Sequence, residues 1–380
     1  MSFIVTIILL GIGYQFSSSY VKRYKDSKFI KLYFYHIFFS MVYYWFVSSR
    51  SADANSYYKR AYRSIETFVE FGTGTQFMDF INTPIVQTFE MSKFNLFVLY
   101  GIISFWGCAT FYLMIKKTQI INYKILGVHI GNIILFLPSM HFWTSGLGKD
   151  ALVYTCVMVI FHGFSKIKKH LIAIIFCGIL LSCIRPHVTL LITLSFIAIY
   201  ALNSVTSFNI KSIAIVLGLM GVVVVLLPLF SNFVKLSEVS FEGVNNQFER
   251  FEGYGKRGIQ ARENTSMLDV SGYSLPYKIF SFLFRPLFYD ARSIIQLISS
   301  FENSLLIFLL LNWFFRVKVI QYYRSLSIDY KAMFIYFLIG SFVFGMTMYN
   351  LGLAARQKHM IVPIMMLLFV LSPKKQQSDV

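Results

Sequence analysis

Charge is scarce in this chain. Only 14% of its 380 residues are Asp, Glu, Lys or Arg, against roughly a quarter in an ordinary soluble protein. Cysteine is scarcer still: the four thiols (108, 156, 177, 183) fall inside apolar stretches, none at a metal-ligand spacing. That excludes a secreted disulfide scaffold and makes the cysteines small core residues. What fills the chain is apolar, 56% hydrophobic with 41 Phe and 24 Tyr, at a mean hydropathy of +0.62. One water-soluble core of this length cannot hide that much apolar surface, so lipid is the solvent, and a soluble enzyme or a disordered chain is excluded. The formal charge of +18 points at first to nucleic acid. The cations, however, lie between apolar runs rather than on one polar face, so no nucleic-acid partner is expected.

A span needs about 20 apolar residues, fewer when tilted. Runs at 2–19, 29–48, 94–115, 125–142, 151–165, 170–184, 187–204, 212–231, 291–315, 332–350 and 359–372 predict an all-α polytopic transmembrane bundle of about eleven spans. The chain reads as a single membrane domain, 1–380. The first run has no basic residue before it, and Lys22, Arg23, Lys25, Lys28 and Lys31 follow it. It is therefore expected to stay as a span, with the N-terminus outside and the C-terminus cytoplasmic. On that alternation the inside segments hold 18 Lys and Arg against three acids, as the positive-inside rule asks. Two outside segments exceed a connector. Residues 49–93 carry an amphipathic pattern with Tyr58, Tyr62, Ile65 and Val69 on one face, which predicts a helix on the membrane surface. Residues 232–276 are polar and glycine-rich, a composition suited to a mobile lid, and 232–290 reads as an outside loop with a re-entrant or interfacial helix.

Ionisable residues at membrane depth are expensive and hence functional candidates. Those at the outside ends of spans are Asp53, Lys149, Asp150, Arg185, His187, Arg285, Asp290, Arg292, Arg356, Lys358 and His359. In Ser145-Gly-Leu-Gly-Lys149-Asp150 two glycines allow a tight turn before a helix start, either an anion-binding geometry or a plain turn with a snorkelling lysine. It is not a nucleotide P-loop, because the spacing is wrong and no strand precedes it. Arg185-Pro186-His187 places Pro at a helix start with Arg beside a positive helix end, and Arg285-Pro286 repeats that arrangement. Cations meeting at one mouth repel unless an anion bridges them, and the arginine fork suits phosphate. Asp53 is either a general base or the cap of the surface helix. Glu302, beside Asn303 within a span, is a buried pair partner or a structural hydrogen-bonding residue. His129 and His162 read as packed core. No His, Asp or Glu cluster has ligand spacing, so neither a metal nor a cofactor is expected.

The stretches Phe142-Trp143-Thr-Ser-Gly-Leu-Gly-Lys149-Asp150, Arg185-Pro186-His187, Leu283-Phe-Arg285-Pro286, Asn350-Leu-Gly-Leu-Ala-Ala-Arg356-Gln-Lys358, and Pro363 occur in that order. In this they resemble the Wzy-type O-antigen and capsular polysaccharide repeat-unit polymerases and the EpsG-like proteins of bacterial polysaccharide clusters. Lys358 stands where an arginine is more usual, which keeps the cation but not the fork. The resemblance implies a metal-independent membrane glycosyltransferase at the outer face of the bacterial cytoplasmic membrane. It would join oligosaccharide units carried on undecaprenyl pyrophosphate, alongside a flippase and a chain-length regulator. On that reading Asp53, Arg285 and Arg356 are catalytic. Lys149, Arg185, His187, Arg292, Lys358 and His359 bind substrate, and the guanidinium groups converge at one outside vestibule. The alternatives are a polyprenyl-phosphate-sugar glycosyltransferase, a lipid-linked oligosaccharide flippase or transporter, and a membrane acyltransferase.

Overall fold

A computed structural model describes the chain except residues 1, 51, 64–68, 119–123, 207–209, 235–240, 261–265 and 372–380. Ile65 of the surface-helix pattern and the C-terminal tail assigned to the cytoplasm lie outside the described residues. The rest is all-helical apart from one short hairpin. The backbone divides into two compact units, residues 1–118 with 131–185, and residues 119–130 with 186–380.

The first unit contains α1 (Ser2–Tyr24), α2 (Lys28–Ser48), α3 (Asp53–Arg63), α4 (Thr75–Thr88) and α5 (Lys93–Lys117). The hairpin β1 (Lys124–Ile125) and β2 (Val128–His129) follows in the second unit, and the chain returns with α6 (Ile130–Leu135), α7 (Pro138–Thr144), α8 (Lys149–Phe164) and α9 (Ile167–Ile184). α5 is the buried column of this unit. Ser92 caps it by accepting the Asn95 N–H, and α1, α2 and α8 pack around it. α1 and α9 turn the other way. Ile172, Ile175, Phe176 and Ile179, at i, i+3, i+4 and i+7, form an exposed apolar stripe on α9, and Ile4, Ile7, Ile8 and Ile12 do so on α1. Apolar stripes facing outward are what a lipid solvent asks of a helix.

The second unit continues with α10 (Pro186–Thr206), α11 (Ile210–Val234), α12 (Phe241–Gln260), α13 (Leu275–Phe284), α14 (Ile294–Arg316), α15 (Val319–Ser325), α16 (Ile328–Thr347), α17 (Leu351–Gln357) and α18 (Val362–Val370). α16 is its centre, touching α10, α12, α13 and α18.

Among the described residues five helices are long and apolar enough to cross a membrane: α1, α5, α9, α14 and α16. A sixth crossing exists if Leu351–Met360 and Val362–Val370, bent by 58° at their junction, count as one broken span. Of the other predicted spans the described residues give less. α8 has 16 residues, α10 and α11 contribute the apolar stretches Pro186–Leu202 and Ile215–Pro228, and α2 carries Lys28, Lys31, His36 and Ser40. The run 125–142 is not one helix. Leu126 and Gly127 take left-handed φ values of 49° and 78° and close the hairpin. Pro138 then opens α7 after an extended Leu137, because a residue before proline disfavours the helical region.

Within the glycine-rich stretch, residues 241–260 form α12, a helix of 20 residues. Phe251 and Tyr254 anchor it by packing against the ring of Tyr349. Gly255 is required where the helix meets the chain, since a Cβ there would lie 2.2 Å from the Leu268 carbonyl oxygen. Within 49–93, the face packed inward on α3 is Ala54, Tyr57 and Ala61. Tyr58 and Tyr62 stack on each other on the other side, with Tyr62 exposed.

Candidate functional site

In the second unit four separate stretches meet. The Arg285-Pro286 corner follows the last turn of α13, and its peptide bond is cis. Pro286 opens no helix here, unlike Pro186 at the start of α10. It leads instead into a turn over residues 288–290 that ends on Asp290. The two arginine–proline pairs are therefore not repeats of one arrangement.

That turn builds a fork. Arg285 Nε donates to Asp290 Oδ2 at 2.9 Å, and its Nη2 donates to Oδ1 of the same carboxylate. Asp290 Oδ2 also accepts the Leu287 N–H at 2.9 Å. Both side chains are 7% exposed. Burial by itself raises the Asp290 carboxyl, but the bonds from Arg285 and Leu287 outweigh it and hold the group below its ordinary value. The same carboxylate raises the Arg285 pKa further above its usual value. Arg285 Nη1 lies 3.4 Å from the Tyr273 hydroxyl, and the guanidinium carbon stands 5.7 Å from the centre of the Tyr289 ring.

Asn303 joins this corner to the broken span. Its Nδ2 donates to the Pro286 carbonyl at 2.7 Å, and its Oδ1 accepts from Lys358 Nζ. Lys358 is 2% exposed, and the carboxylate of Glu302 acts on it electrostatically. Asn303 is the tenth residue after Ser293, the cap of α14, so the corner reaches roughly 15 Å along that helix at a rise of 1.5 Å per residue. Asn350 caps α17 by accepting the N–H groups of Gly352 and Leu353 at 2.8 and 3.1 Å. The Met267–Asn350 bridge and the Leu351 N–H to Ser266 carbonyl bond (2.9 Å) tie in the segment leading to Tyr273. Arg356 is half-buried on α17, His359 is buried one residue beyond Lys358, and Arg292 is exposed beside Asp290. His187 sits on α10 with its ring centroid 5.8 Å from that of Phe344.

The other predicted residues belong to the first unit, at the end where α2 stops and α5 and α8 start. Asp150, in the first turn of α8, accepts from Arg185 Nη2 at 2.6 Å across 35 residues, with side chains 8% and 7% exposed. Lys149 Nζ donates to Thr75 Oγ1 at 3.0 Å, and the Gly74 N–H reaches the Cys183 carbonyl at 2.8 Å. Gly146 lets this turn close, because a Cβ there would lie 2.0 Å from the Tyr43 ring. Asp53 is exposed and is the first residue of α3 rather than the residue before it.

Asp290 is among the ionisable candidates of the sequence, but its pairing with Arg285 and the roles of Asn303 and Tyr273 at the corner escape the pattern. A polar Asn inside an apolar helix was the available signal for Asn303. Searches among protein-family models, curated proteins and solved structures find no match to this chain.

Proposed function

We propose that this protein polymerises lipid-linked oligosaccharide repeat units, as an integral membrane glycosyltransferase at the outer face of the bacterial cytoplasmic membrane. The observation that carries the reading is the aimed fork: Arg285 gripped by Asp290 and connected through Asn303 to buried Lys358. Of a guanidinium's five N–H groups, two serve Asp290 and one faces Tyr273, which leaves two for a phosphate oxygen. Arg285, Arg292 and Lys358 outnumber Asp290 and Glu302 by one positive charge at this corner, and Arg356 on α17 is proposed to add a second. A dianionic diphosphate balances that excess.

The chemistry follows from the substrate. As the acceptor sugar hydroxyl attacks the anomeric carbon, the glycosyl–oxygen bond breaks and the pyrophosphate gains charge. Fixed donors aimed at that charge are worth about 3–4 kcal/mol each. Arg285 and Arg356 take this role, and Arg292, Lys358 and His359 hold the diphosphate and the first sugar. Asp53 is the proposed base for the acceptor hydroxyl. Lys149 and His187 are assigned to substrate binding, Arg185 is already held by Asp150, and undecaprenyl pyrophosphate is the proposed carrier.

A second reading, a flippase or transporter for the same lipid, draws on the 58° break beside Lys358. Broken helices with polar groups at mid-membrane mark many transporter sites. Surface glycan from cells carrying Arg285→Ala or Arg356→Ala separates the two. Loss of the long-chain ladder with single units retained supports polymerisation. Loss of single units as well supports transport, and an unchanged ladder in both variants removes the site.

A further inference from the structure

The first unit holds a second constellation, unrelated to the Arg285 corner. His36 on α2, Cys108 on α5 and His141 on α7 are buried, with at most 1% of each exposed. Among the described residues they form the group of three metal-capable side chains whose donor atoms lie within 4.8 Å of one another. His36 Nδ1 stands 2.8 Å from His141 Nδ1. Cys108 Sγ lies 3.5 Å from the first nitrogen and 3.9 Å from the second. An ion with metal–nitrogen bonds of about 2.0–2.1 Å and a metal–sulfur bond of about 2.3 Å sets nitrogen and sulfur roughly 3.6–3.8 Å apart. The two nitrogen–sulfur edges bracket that span. The nitrogen–nitrogen edge has to open by roughly 0.5–0.8 Å to reach the matching value.

The outer ring nitrogens are already backed as ligand histidines are. His141 Nε2 reaches the Leu135 carbonyl at 2.8 Å. A carbonyl only accepts, so this nitrogen carries the proton and Nδ1 presents its lone pair inward. His36 Nε2 lies 2.7 Å from Ser104 Oγ, which is itself 3.2 Å from the Gly101 carbonyl. That hydroxyl serves either tautomer. Without an ion, His36 Nδ1–H donates to His141 and Ser104 donates to His36 Nε2. With an ion, the His36 proton sits on Nε2 and is donated to Ser104, whose own proton turns to Gly101. Outer partners of this kind fix tautomer and ring orientation in metal sites.

We propose that His36, Cys108 and His141 bind one monovalent copper ion. The identity of the ion follows from charge. Cys108 loses its thiol proton to solvent, a copper–sulfur bond forms, and thiolate with Cu(I) leaves the buried cluster neutral. A divalent zinc ion in the same place leaves one positive charge in an apolar interior with no carboxylate in the group. Thiolate and imidazole donors also suit Cu(I). The three ligands come from helices that already pack together, since α5 and α7 both lie against α2.

The test uses the full chain purified in detergent without oxygen and titrated with Cu(I) against a coloured Cu(I) chelator. One equivalent is captured, and copper-edge X-ray absorption reports one sulfur and two nitrogen neighbours. Cys108→Ser and His141→Gln each weaken capture by more than about a hundredfold, beyond the loss expected from an outer partner. Cys183→Ser, at a half-buried thiol outside the cluster, leaves capture unchanged. Absence of stoichiometric capture, equal capture by both ligand variants, or retention of zinc in preference to copper overturns the proposal. Should a ligand variant aggregate, the absorption spectrum of the wild-type chain decides: a copper shell lacking sulfur, or lacking two nitrogens, also overturns it.

Discussion

The two buried arginine–carboxylate pairs look alike in exposure and differ in what they hold. Arg185 and Asp150 are 35 residues apart, one after the last turn of α9 and the other in the first turn of α8. Their bond spans two helices of the first unit. Arg285 and Asp290 are five residues apart, and their bidentate bond closes within a single turn. The first pair braces a helix contact, so its geometry depends on the fold and the fold depends on it. The second is set locally by a proline and a turn, and it fixes where the guanidinium points. A long-range buried pair thus reads as architecture, and a local one as a tool.

The largest expected effect sharpens that contrast. Arg185→Leu leaves Asp150 as an unpaired buried carboxylate, which costs about 3–5 kcal/mol. Folded yield and melting temperature in detergent fall sharply, and the double variant Arg185→Leu with Asp150→Leu recovers most of the loss because no charge is stranded. If the double variant is as unstable as the single one, the pair holds more than its partner's charge and the bracing account fails.

Arg285 responds in the opposite quantity. Arg285→Lys keeps the charge but not the fork, so on the proposed polymerase reading polymer yield falls by about 10²–10³, the usual loss for one aimed donor. Folded yield changes far less than for Arg185→Leu. Quantifying the glycan ladder against protein amount in the same cells makes the comparison. A lysine variant with full activity shows that charge alone suffices there.

Much of this was legible in the sequence, and the limits have physical causes. Composition points to lipid as the solvent, and apolar runs locate α1, α5, α9, α14 and α16. Of these, α1 and α9 turn apolar stripes outward, and the packed helices α5 and α16 are apolar because their neighbours surround them. The run 125–142 misled, since hydropathy cannot see that Leu126-Gly127 takes left-handed φ or that Pro138 restarts the helix. The glycines of 241–260 suit a mobile lid, but a helix forms there. Glycines lower helix propensity, yet Phe251 and Tyr254 on Tyr349 and the close pass at Leu268 outweigh it. Arginine–proline pairs mark corners, but only the fold distinguishes a helix start at Pro186 from a turn at Pro286. His36, Cys108 and His141 come from three helices far apart in sequence, so no ligand spacing exists to be read.

The Asn303 bridge gives an intermediate effect. Asn303→Leu removes the partner of Lys358 and of the Pro286 carbonyl, two groups in a buried setting. Stranding such groups costs about 1–3 kcal/mol. The variant is expected to lose both a few degrees of melting temperature and part of its polymer yield. A loss confined to stability assigns Asn303 to architecture, alongside Asp150, rather than to the aimed corner.

The smallest effect belongs to an exposed pair and calibrates the others. Lys116 Nζ donates to Asp26 Oδ2 at 2.7 Å, with side chains 36% and 17% exposed, and the Tyr112 hydroxyl donates to the same oxygen at 2.6 Å. Burial tends to raise the Asp26 carboxyl, but these bonds prevail and hold it down to about 2. A carboxyl depressed in the folded state contributes stability that is present above its unfolded value of 3.8 and disappears as pH falls through about 2. Lys116→Ala therefore lowers stability at neutral pH by less than about 1 kcal/mol, as solvent-exposed pairs do. The difference from wild type shrinks on acidification between pH 4 and 2, measured by thermal unfolding in detergent. A loss as large as that of Arg185→Leu shows that exposure does not separate bracing pairs from incidental ones, and the contrast between the two arginines then rests on sequence separation alone.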